Sequence, residues 1–144
     1  MVTKVNYPLA AGDKGVSEVS VSRTPPMLAL LAGWLVPGSG HILLGKWIRG
    51  LLLAGSILGM FAIGIALQGK VYTPNTGEPL DMLGFVGDLG SGLLYGLARL
   101  LGWGQLPILT AVADYGTKFI VVAGLLNIVS AIDAHSLASG RKRS

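Results

Sequence analysis

Polar side chains that interrupt the apolar stretches are the residues of this sequence with the most chemical potential. Ionisable groups are costly to keep inside apolar segments, so their presence there suggests a function. Such residues occur in two separate segments of the chain. They are Asp88, Tyr95, Arg99, Asn127 and Asp133.

A polar stripe is predicted on one of these segments, because Asp88, Ser91, Tyr95 and Arg99 recur every three or four positions among leucines. Three interpretations are open. The stripe could line a polar pathway, in which Asp88 or Asp133 holds a proton or a cation. Arg99 could instead pair with an acidic residue of a neighbouring helix, or the polar groups could simply reach the membrane interface.

The two histidines, His41 and His135, are candidates for a different chemistry. A histidine beside glycine-lined helices can ligate the metal of a tetrapyrrole, which makes His41 a candidate cofactor ligand. The simpler interpretation is that His41 fixes a tight turn and that His135 lies at a helix end near water. On that interpretation we expect no cofactor and no metal.

Two sequence patterns imitate catalytic motifs but lack the groups or the geometry that the chemistry requires. Gly40–Lys46 has the spacing of a phosphate-binding loop, but Trp47 stands where a hydroxyl group must bind magnesium. Asp133, His135 and Ser136 lie within four residues on one predicted helix, so their side chains diverge instead of forming a triad. The chain has no cysteine, which excludes thiolate chemistry. We therefore expect that the protein is not an enzyme.

The elements that carry these residues are apolar enough for a membrane. Gly50–Gln68 is uncharged, and its nineteen residues would form a helix of about 28 Å, the thickness of a bilayer's hydrocarbon core. Only 12% of the chain is charged, and the 22 glycines suit closely packed membrane helices. The net charge of +4 is spread over segment ends, which is not the basic patch of a nucleic-acid-binding protein. The expected partners are the lipid bilayer and other membrane proteins.

The predicted fold is all-α, an integral membrane bundle of about four hydrophobic segments. The first segment is broken at Pro37–Gly40, and the third is amphipathic. A polar N-terminal arm at residues 1–22 precedes the membrane domain at 23–138, and a basic tail follows at 139–144. The segments are 27–45, 50–68, 83–103 and 117–138.

Lysine and arginine positions give the orientation. The tail Arg141-Lys142-Arg143 predicts a cytoplasmic C-terminus. Either all four segments cross the membrane, which leaves Lys46 and Arg49 outside, or the first segment dips in and returns at its break. In the second arrangement Lys46 and Arg49 lie inside, the loop with Glu78 and Asp81 lies outside, and the third segment rests in the interface. The four-crossing arrangement is favoured, because irregular backbone facing lipid is costly.

A local resemblance supports this architecture. The turn from Pro37 to Lys46 resembles the signature turn of the two-helix transmembrane domain family, in which glycine, histidine and a second glycine precede a basic residue. The whole chain is similar to a bacterial family of uncharacterised small multi-pass membrane proteins with a Pro-Gly-x-Gly-His turn. The resemblance implies a membrane location and a structural turn, and it implies no reaction. The turn residues are Pro37, Gly38, Gly40, His41 and Gly45.

These observations predict a small, non-enzymatic, multi-pass protein of the bacterial inner membrane. Its expected role is structural or accessory, as a subunit of a larger membrane complex. One alternative is a component of an ion or small-solute pathway that uses the polar stripe. A second alternative is a membrane subunit that binds a tetrapyrrole through His41.

Overall fold

The computed structural model describes residues 2–5, 19–22, 24–74 and 77–140. Two short strands precede a helical region in which two long helices alternate with pairs of shorter ones. The elements are β1 (Val2–Val5), β2 (Val19–Ser22), α1 (Pro26–Leu35), α2 (Ser39–Leu43), α3 (Trp47–Ala66), α4 (Pro79–Leu89), α5 (Leu93–Leu100) and α6 (Ala111–Ala138).

The strands form an antiparallel pair within the predicted polar arm, with Val2 opposite Ser22 and Val5 opposite Val19. The all-α expectation is met by the described residues from 24 onward, and this pair is an addition to it. Alternating valine, threonine and serine favour extended backbone, because β-branched side chains suit a pleated ribbon. The basic tail 141–144 lies outside the described residues.

The two long helices, α3 and α6, are long and apolar enough to cross a membrane. Their 20 and 28 residues correspond to about 30 and 42 Å. They match the spans predicted at 50–68 and 117–138, although α6 begins earlier. The side chain of Thr110 caps it by accepting a hydrogen bond from the amide of Ala113 at 3.2 Å.

Helices α3 and α6 pack antiparallel. A Cβ atom at Gly64 would lie 2.5 Å from Cγ1 of Ile120 and 2.7 Å from the carbonyl oxygen of Gly116, so the two backbones nearly touch there. One turn further back, Phe61 joins Ile120 and Ala123 in the main apolar core. Helix α3 therefore begins near the C-terminal end of α6 and ends near its N-terminal end.

Helices α1 and α2 form a hairpin, residues 26–43, against the C-terminal half of α6. Ala29 packs with Ala134, and Gly33 lies against Ala131, so α1 runs antiparallel to α6. After the break, Gly40 returns to Ala134, where an added Cβ would lie 2.9 Å from the alanine's Cβ. This first hairpin therefore enters and leaves at the same end of α6.

Helices α4 and α5 form a second hairpin, residues 79–100, at the opposite end. Gly87 packs on Val121 and Gly90 packs on Gly124, so α4 runs parallel to α6. The chain then returns through α5, and Gly104 brings it back beside Val71 in the connector after α3. The segment predicted at 83–103 is thus two helices separated by a turn at Gly90–Gly92.

Short helices distinguish the hairpins from the long helices. With 10, 11 and 8 residues, α1, α4 and α5 are about 15, 17 and 12 Å long, which is too short to cross a hydrocarbon core of about 30 Å. The four-crossing arrangement is therefore not confirmed. The return predicted at Pro37–Gly40 is present, and a second return at Gly90–Gly92 mirrors it.

Candidate functional site

Asn127, near the middle of α6, joins the tips of both hairpins. Its Nδ2 donates hydrogen bonds to the carbonyl oxygens of Trp34 at 2.7 Å and Gly90 at 2.9 Å. These oxygens belong to the last turn of α1 and the C-cap of α4, where carbonyls lack intrahelical donors. One amide therefore satisfies the ends of two helices that approach from opposite directions.

The hairpin tips also touch each other directly. The indole Nε1 of Trp34 donates to the carbonyl oxygen of Leu89 at 3.2 Å. Gly92 lies against the Trp34 carbonyl so closely that any Cβ there would collide with it, and its φ of 58° also favours glycine. We call this contact between the tips at Asn127 the hairpin junction.

Asp88 ties the second hairpin to the connector that follows α3. It is only 1% exposed, and its Oδ2 accepts a hydrogen bond from the backbone amide of Tyr72 at 2.7 Å. The hydroxyl of Tyr95 donates to the carbonyl oxygen of Tyr72 at 3.3 Å, so two side chains of the hairpin hold one connector residue. Burial, followed by the carboxylate of Asp81, raises the pKa of the Tyr72 phenol, which keeps that hydroxyl protonated.

Five buried polar side-chain atoms have no hydrogen-bond partner among the described residues, and we call them the orphan atoms. Native interiors rarely leave such atoms unpaired, because the loss of water costs about 1–3 kcal/mol for each group. They are His41 Nδ1, Asp88 Oδ1, Ser91 Oγ, Asn127 Oδ1 and Ser130 Oγ.

Four of the orphan atoms, those other than Oδ1 of Asp88, lie along the C-terminal half of α6 in a row that winds halfway around the helix. Ser130 and Asn127 are one turn apart on that helix. One turn further toward its start, a Cβ at Gly124 would lie 3.0 Å from the hydroxyl of Ser91. At the other end, His41 lies beside Asp133. The distance along α6 from Gly124 to Asp133 is about 14 Å. We call this row of side chains the polar column.

His41 is fully buried, and its Nε2 lies 3.0 Å from Oδ2 of Asp133. This contact attaches the first hairpin to α6 and agrees with the predicted role of the histidine in the turn. A tetrapyrrole ligand at Nε2 would have to displace Asp133. His135 belongs to the same end of α6, so the two histidines lie at one end of the helix bundle.

Glycines shape the predicted structural turn. Gly38 and Gly45 have φ angles of 79° and 76°, which favour glycine. Gly40 comes so close to the carbonyl oxygen of Ala29 that an added Cβ would lie 2.6 Å away. The hydroxyl of Ser39 donates to the carbonyl oxygen of Ala32 at 2.5 Å, and Pro37 is buried in the bend.

The residues of the predicted polar stripe do not share a single helix face, because the chain turns at Gly90–Gly92 between them. Asp88 and Tyr95 contact the connector, Ser91 is buried against α6, and Arg99 is exposed in the last turn of α5. Within residues 24–74 and 77–140 no ion pair of Arg99 is present. The four residues of the predicted stripe therefore lie in different surroundings, and none of the three interpretations applies to the stripe as a whole.

Sequence reasoning missed Trp34 and Ser130 as parts of the site. Trp34 looks like an ordinary apolar residue, because its contribution is a backbone carbonyl and an indole N–H group at the tip. A usable signal was present, however. The triplet Gly38-Ser39-Gly40 recurs as Gly90-Ser91-Gly92, and both copies fall at a break between short helices.

Comparison with known proteins identifies the family. A family of unknown function, DUF6677, matches residues 28–143. The chain belongs to this family. The matched region contains both long helices, the second hairpin and all but the first two residues of the first hairpin, so the family match covers the helical arrangement around Asn127. No curated protein and no solved structure matches the chain.

Proposed function

We propose that the protein is a multi-pass integral membrane protein. Apolar side chains cover its outer surface instead of being withdrawn into a core: Ile48 is 78% exposed, Leu52 67% and Val129 62%. Only 22% of the apolar window of α3 and 39% of that of α6 are buried, unlike the core helices of a soluble protein. The resemblance of the Pro37–Lys46 turn to a transmembrane family supports the same location, in a bacterial inner membrane.

In this proposal α3 and α6 cross the bilayer, and the hairpins are re-entrant. They enter from opposite faces and meet near the midplane at Asn127. The irregular backbone at their tips is tolerated there because protein surrounds it: Gly90 packs on Gly124, and Gly38 packs on Gly50. A chain with two long and four short helices thereby fills the full thickness of a membrane.

Charge supports an orientation with the C-terminus in the cytoplasm. Lys46 and Arg49 lie at the start of α3, which is at the same end as the last turn of α6, after which the sequence continues into the basic tail. The acidic residues Glu78 and Asp81 lie at the opposite end, beside the start of α4. This distribution matches the arrangement in which the first segment returns at its break.

We further propose that the protein is non-enzymatic and forms part of a pathway for a cation, a proton or a small polar solute. The observation that carries this proposal is the polar column, which together with Oδ1 of Asp88 comprises five orphan atoms on the two hairpins and on the helix α6 against which they pack. Transporters bind their coupling ions at such breaks, where unwound carbonyls and helix ends face each other near the midplane. Burying polar groups inside a membrane costs free energy, so such groups usually mark a functional site.

Flux through reconstituted protein tests the pathway. Purified protein in liposomes should carry a current or a dye-reported flux above that of empty liposomes, and Asp88→Asn should abolish it. Asp114→Asn is the matched control, because Asp114 is an accessible carboxylate paired with Lys118 at the start of α6. Flux that is absent in wild type, or unchanged in Asp88→Asn, would contradict the proposal.

An accessory role in a larger complex is the second candidate, and an apolar groove favours it. The groove has a volume of about 460 Å³ and lies between α3 and α5. Its walls are apolar, including Phe61, Leu94 and Trp103, which suits a helix of another membrane protein. Purification in mild detergent followed by mass spectrometry tests this role, and a stoichiometric companion would support it. Recovery of the protein alone, with measurable flux, would favour the pathway.

A further inference from the structure

We propose that a pocket at the start of α3 binds the phosphate of an anionic phospholipid, with Lys46 and Arg49 as its cationic ligands. This inference rests on the proposed membrane location and names the lipid chemistry that one end of the protein would recognise. It follows from the shape of the pocket, from its charge and from the apolar side chains beside it.

The pocket is open, has a volume of about 370 Å³ and lies at the turn between α2 and α3, where residues 45–49 line it. Lys46 is the N-cap of α3 and Arg49 follows three positions later, a spacing at which residues are neighbours on one side of a helix. The chain turns at Gly45, whose φ is 76°, and a Cβ added there would meet nothing within 4 Å. Both cationic residues therefore border one space that the protein itself does not fill.

The positive charge of this pocket has no acidic partner among the described residues. Neither Lys46 nor Arg49 forms an ion pair in residues 24–74 and 77–140. At the far end of α3, by contrast, Lys70 and Lys118 each pair with an aspartate. Asp133, a carboxylate near the pocket's end of α6, already bonds to a histidine ring. The charge of the pocket is thus complementary to an external anion.

The helix adds to this charge. The first turn of a helix carries partial positive charge, so acidic residues are favourable there and basic residues are not. Helices α4 and α6 have Asp81 and Asp114 in their first turns, whereas α3 has no acidic residue there and no side-chain cap. Two like charges about one turn apart also repel each other. A phosphate between Lys46 and Arg49 removes both costs, and arginine can hold it through two parallel N–H donors.

Apolar neighbours favour a lipid as the source of the phosphate. Trp47 and Ile48 line the same pocket and are 62% and 78% exposed. Tryptophan is typical of the boundary between headgroups and hydrocarbon, and at the start of a membrane-crossing helix both side chains would lie against acyl chains. A free phosphate ion would gain nothing from these side chains. Basic pockets beside membrane helices at the cytoplasmic face suit anionic headgroups.

Native mass spectrometry of the full chain in detergent tests the site. The protein is mixed with equal amounts of phosphatidylglycerol and phosphatidylcholine, which share a phosphate but differ in net charge. We expect one phosphatidylglycerol to be retained in preference to phosphatidylcholine. The double variant Lys46→Gln, Arg49→Gln should weaken the apparent affinity for phosphatidylglycerol by about thirtyfold, because each basic residue contributes about fivefold. The basic tail is unchanged in this variant.

The double variant Arg99→Gln, Lys118→Gln is the matched control. It removes the same charge from two exposed positions at the opposite end of the helices and leaves the pocket intact. It should retain phosphatidylglycerol as the wild type does. A measurement without any variant is thermal unfolding of the wild type, in which phosphatidylglycerol should raise the midpoint more than phosphatidylcholine. Salt at 1 M should remove that difference, because the pocket is open to solvent.

Four results would overturn the lipid site. They are equal retention of the two lipids by the wild type, unchanged affinity in the pocket variant, the same loss in the control variant, and displacement of phosphatidylglycerol by an equal concentration of inorganic phosphate. The last result would assign the pocket to a free phosphate ion.

The membrane location and the lipid site fail by different observations. Release of the protein from vesicles by an alkaline carbonate wash would contradict the membrane location. Retention of the protein in washed vesicles, together with equal retention of both lipids, would contradict the lipid site alone. The flux measurement tests the pathway independently of both.

Discussion

The two hairpins are built on the same triplet but differ in how their polar groups are satisfied. Each breaks at Gly-Ser-Gly, at residues 38–40 in the first hairpin and 90–92 in the second. Each tip presents a carbonyl oxygen to Asn127. The two tips meet from opposite ends of α6, so the halves of the molecule resemble each other with inverted direction.

The first hairpin satisfies the hydroxyl of its triplet and one of the two ring nitrogens of its histidine. The hydroxyl of Ser39 donates to the carbonyl oxygen of Ala32, and His41 bonds to Asp133. In the second hairpin, Ser91, which occupies the position equivalent to Ser39, has no partner for its hydroxyl among the described residues, and Oδ1 of Asp88 is an orphan atom. The same Gly-Ser-Gly break can therefore hold a serine hydroxyl that is bonded within its hairpin in one half and, among the described residues, one that is unpaired in the other.

Replacing Gly92 by alanine should have the largest effect on this comparison, because it breaks the contact between the hairpins. The new Cβ would collide with the carbonyl oxygen of Trp34, and the φ of 58° adds backbone strain. Together we expect a loss of about 3 kcal/mol in stability. Thermal unfolding in detergent measures it. Gly96→Ala, where nothing lies within 4 Å of an added Cβ, is the control and should change little.

Asn127→Leu should have the second-largest effect, a loss of about 2 kcal/mol in the free energy of unfolding. It removes both hydrogen bonds of the junction and leaves the carbonyl oxygens of Trp34 and Gly90 buried in an apolar setting. Hydrogen exchange should show the tips of both hairpins opening together. Faster exchange in only one hairpin would show that the amide does not couple them. Val129→Leu, at an exposed position of the same helix, is the control.

The paired substitutions Ser39→Ala and Ser91→Ala test the difference between the bonded serine of the first hairpin and the unpaired serine of the second. Loss of the Ser39 hydroxyl removes a hydrogen bond and should cost about 1 kcal/mol. Loss of the Ser91 hydroxyl removes an orphan atom, so stability should stay the same or rise. Thermal unfolding of both variants in the same detergent buffer measures the two changes in stability. Equal losses would mean that Ser91 has a partner in solution.

Asp88→Asn should have the smallest effect on stability, with a free energy of unfolding within about 0.5 kcal/mol of the parent protein. The amide oxygen can still accept the hydrogen bond from Tyr72, and no charge needs to be buried. Its effect on flux should be complete. A large loss of stability, measured by the same unfolding assay, would indicate that Asp88 is structural and that the two hairpins are less different than they look.

The long helices and the first turn follow from sequence. The uncharged run from Gly50 to Gln68 leaves no alternative to an apolar helix, and α3 occupies Trp47–Ala66. Pro37 lacks an amide hydrogen, so the break after α1 is dictated locally. The early start of α6 was missed because Asp114 and Lys118 make its first turns polar, although they pair with each other at 2.6 Å.

The second break was harder to predict. The polar stripe depends on helical periodicity, and periodicity assumes a helix that continues through Gly90–Gly92. Glycine tolerates a continuing helix as well as a turn, and here tertiary contact decides, because Gly92 must fit under the carbonyl of Trp34. The junction itself depends on backbone carbonyls, which no side-chain pattern reveals.

The position of Asn127 has a consequence for biogenesis. In chain order α6 follows both hairpins, so the ribosome finishes both hairpin tips before it makes the amide that holds the two together. Until α6 inserts, the carbonyl groups of Trp34 and Gly90 lack that donor. The contact between the two tips must therefore wait until α6 has been made, and a nascent chain stalled before Asn127 should lack the amide that joins them.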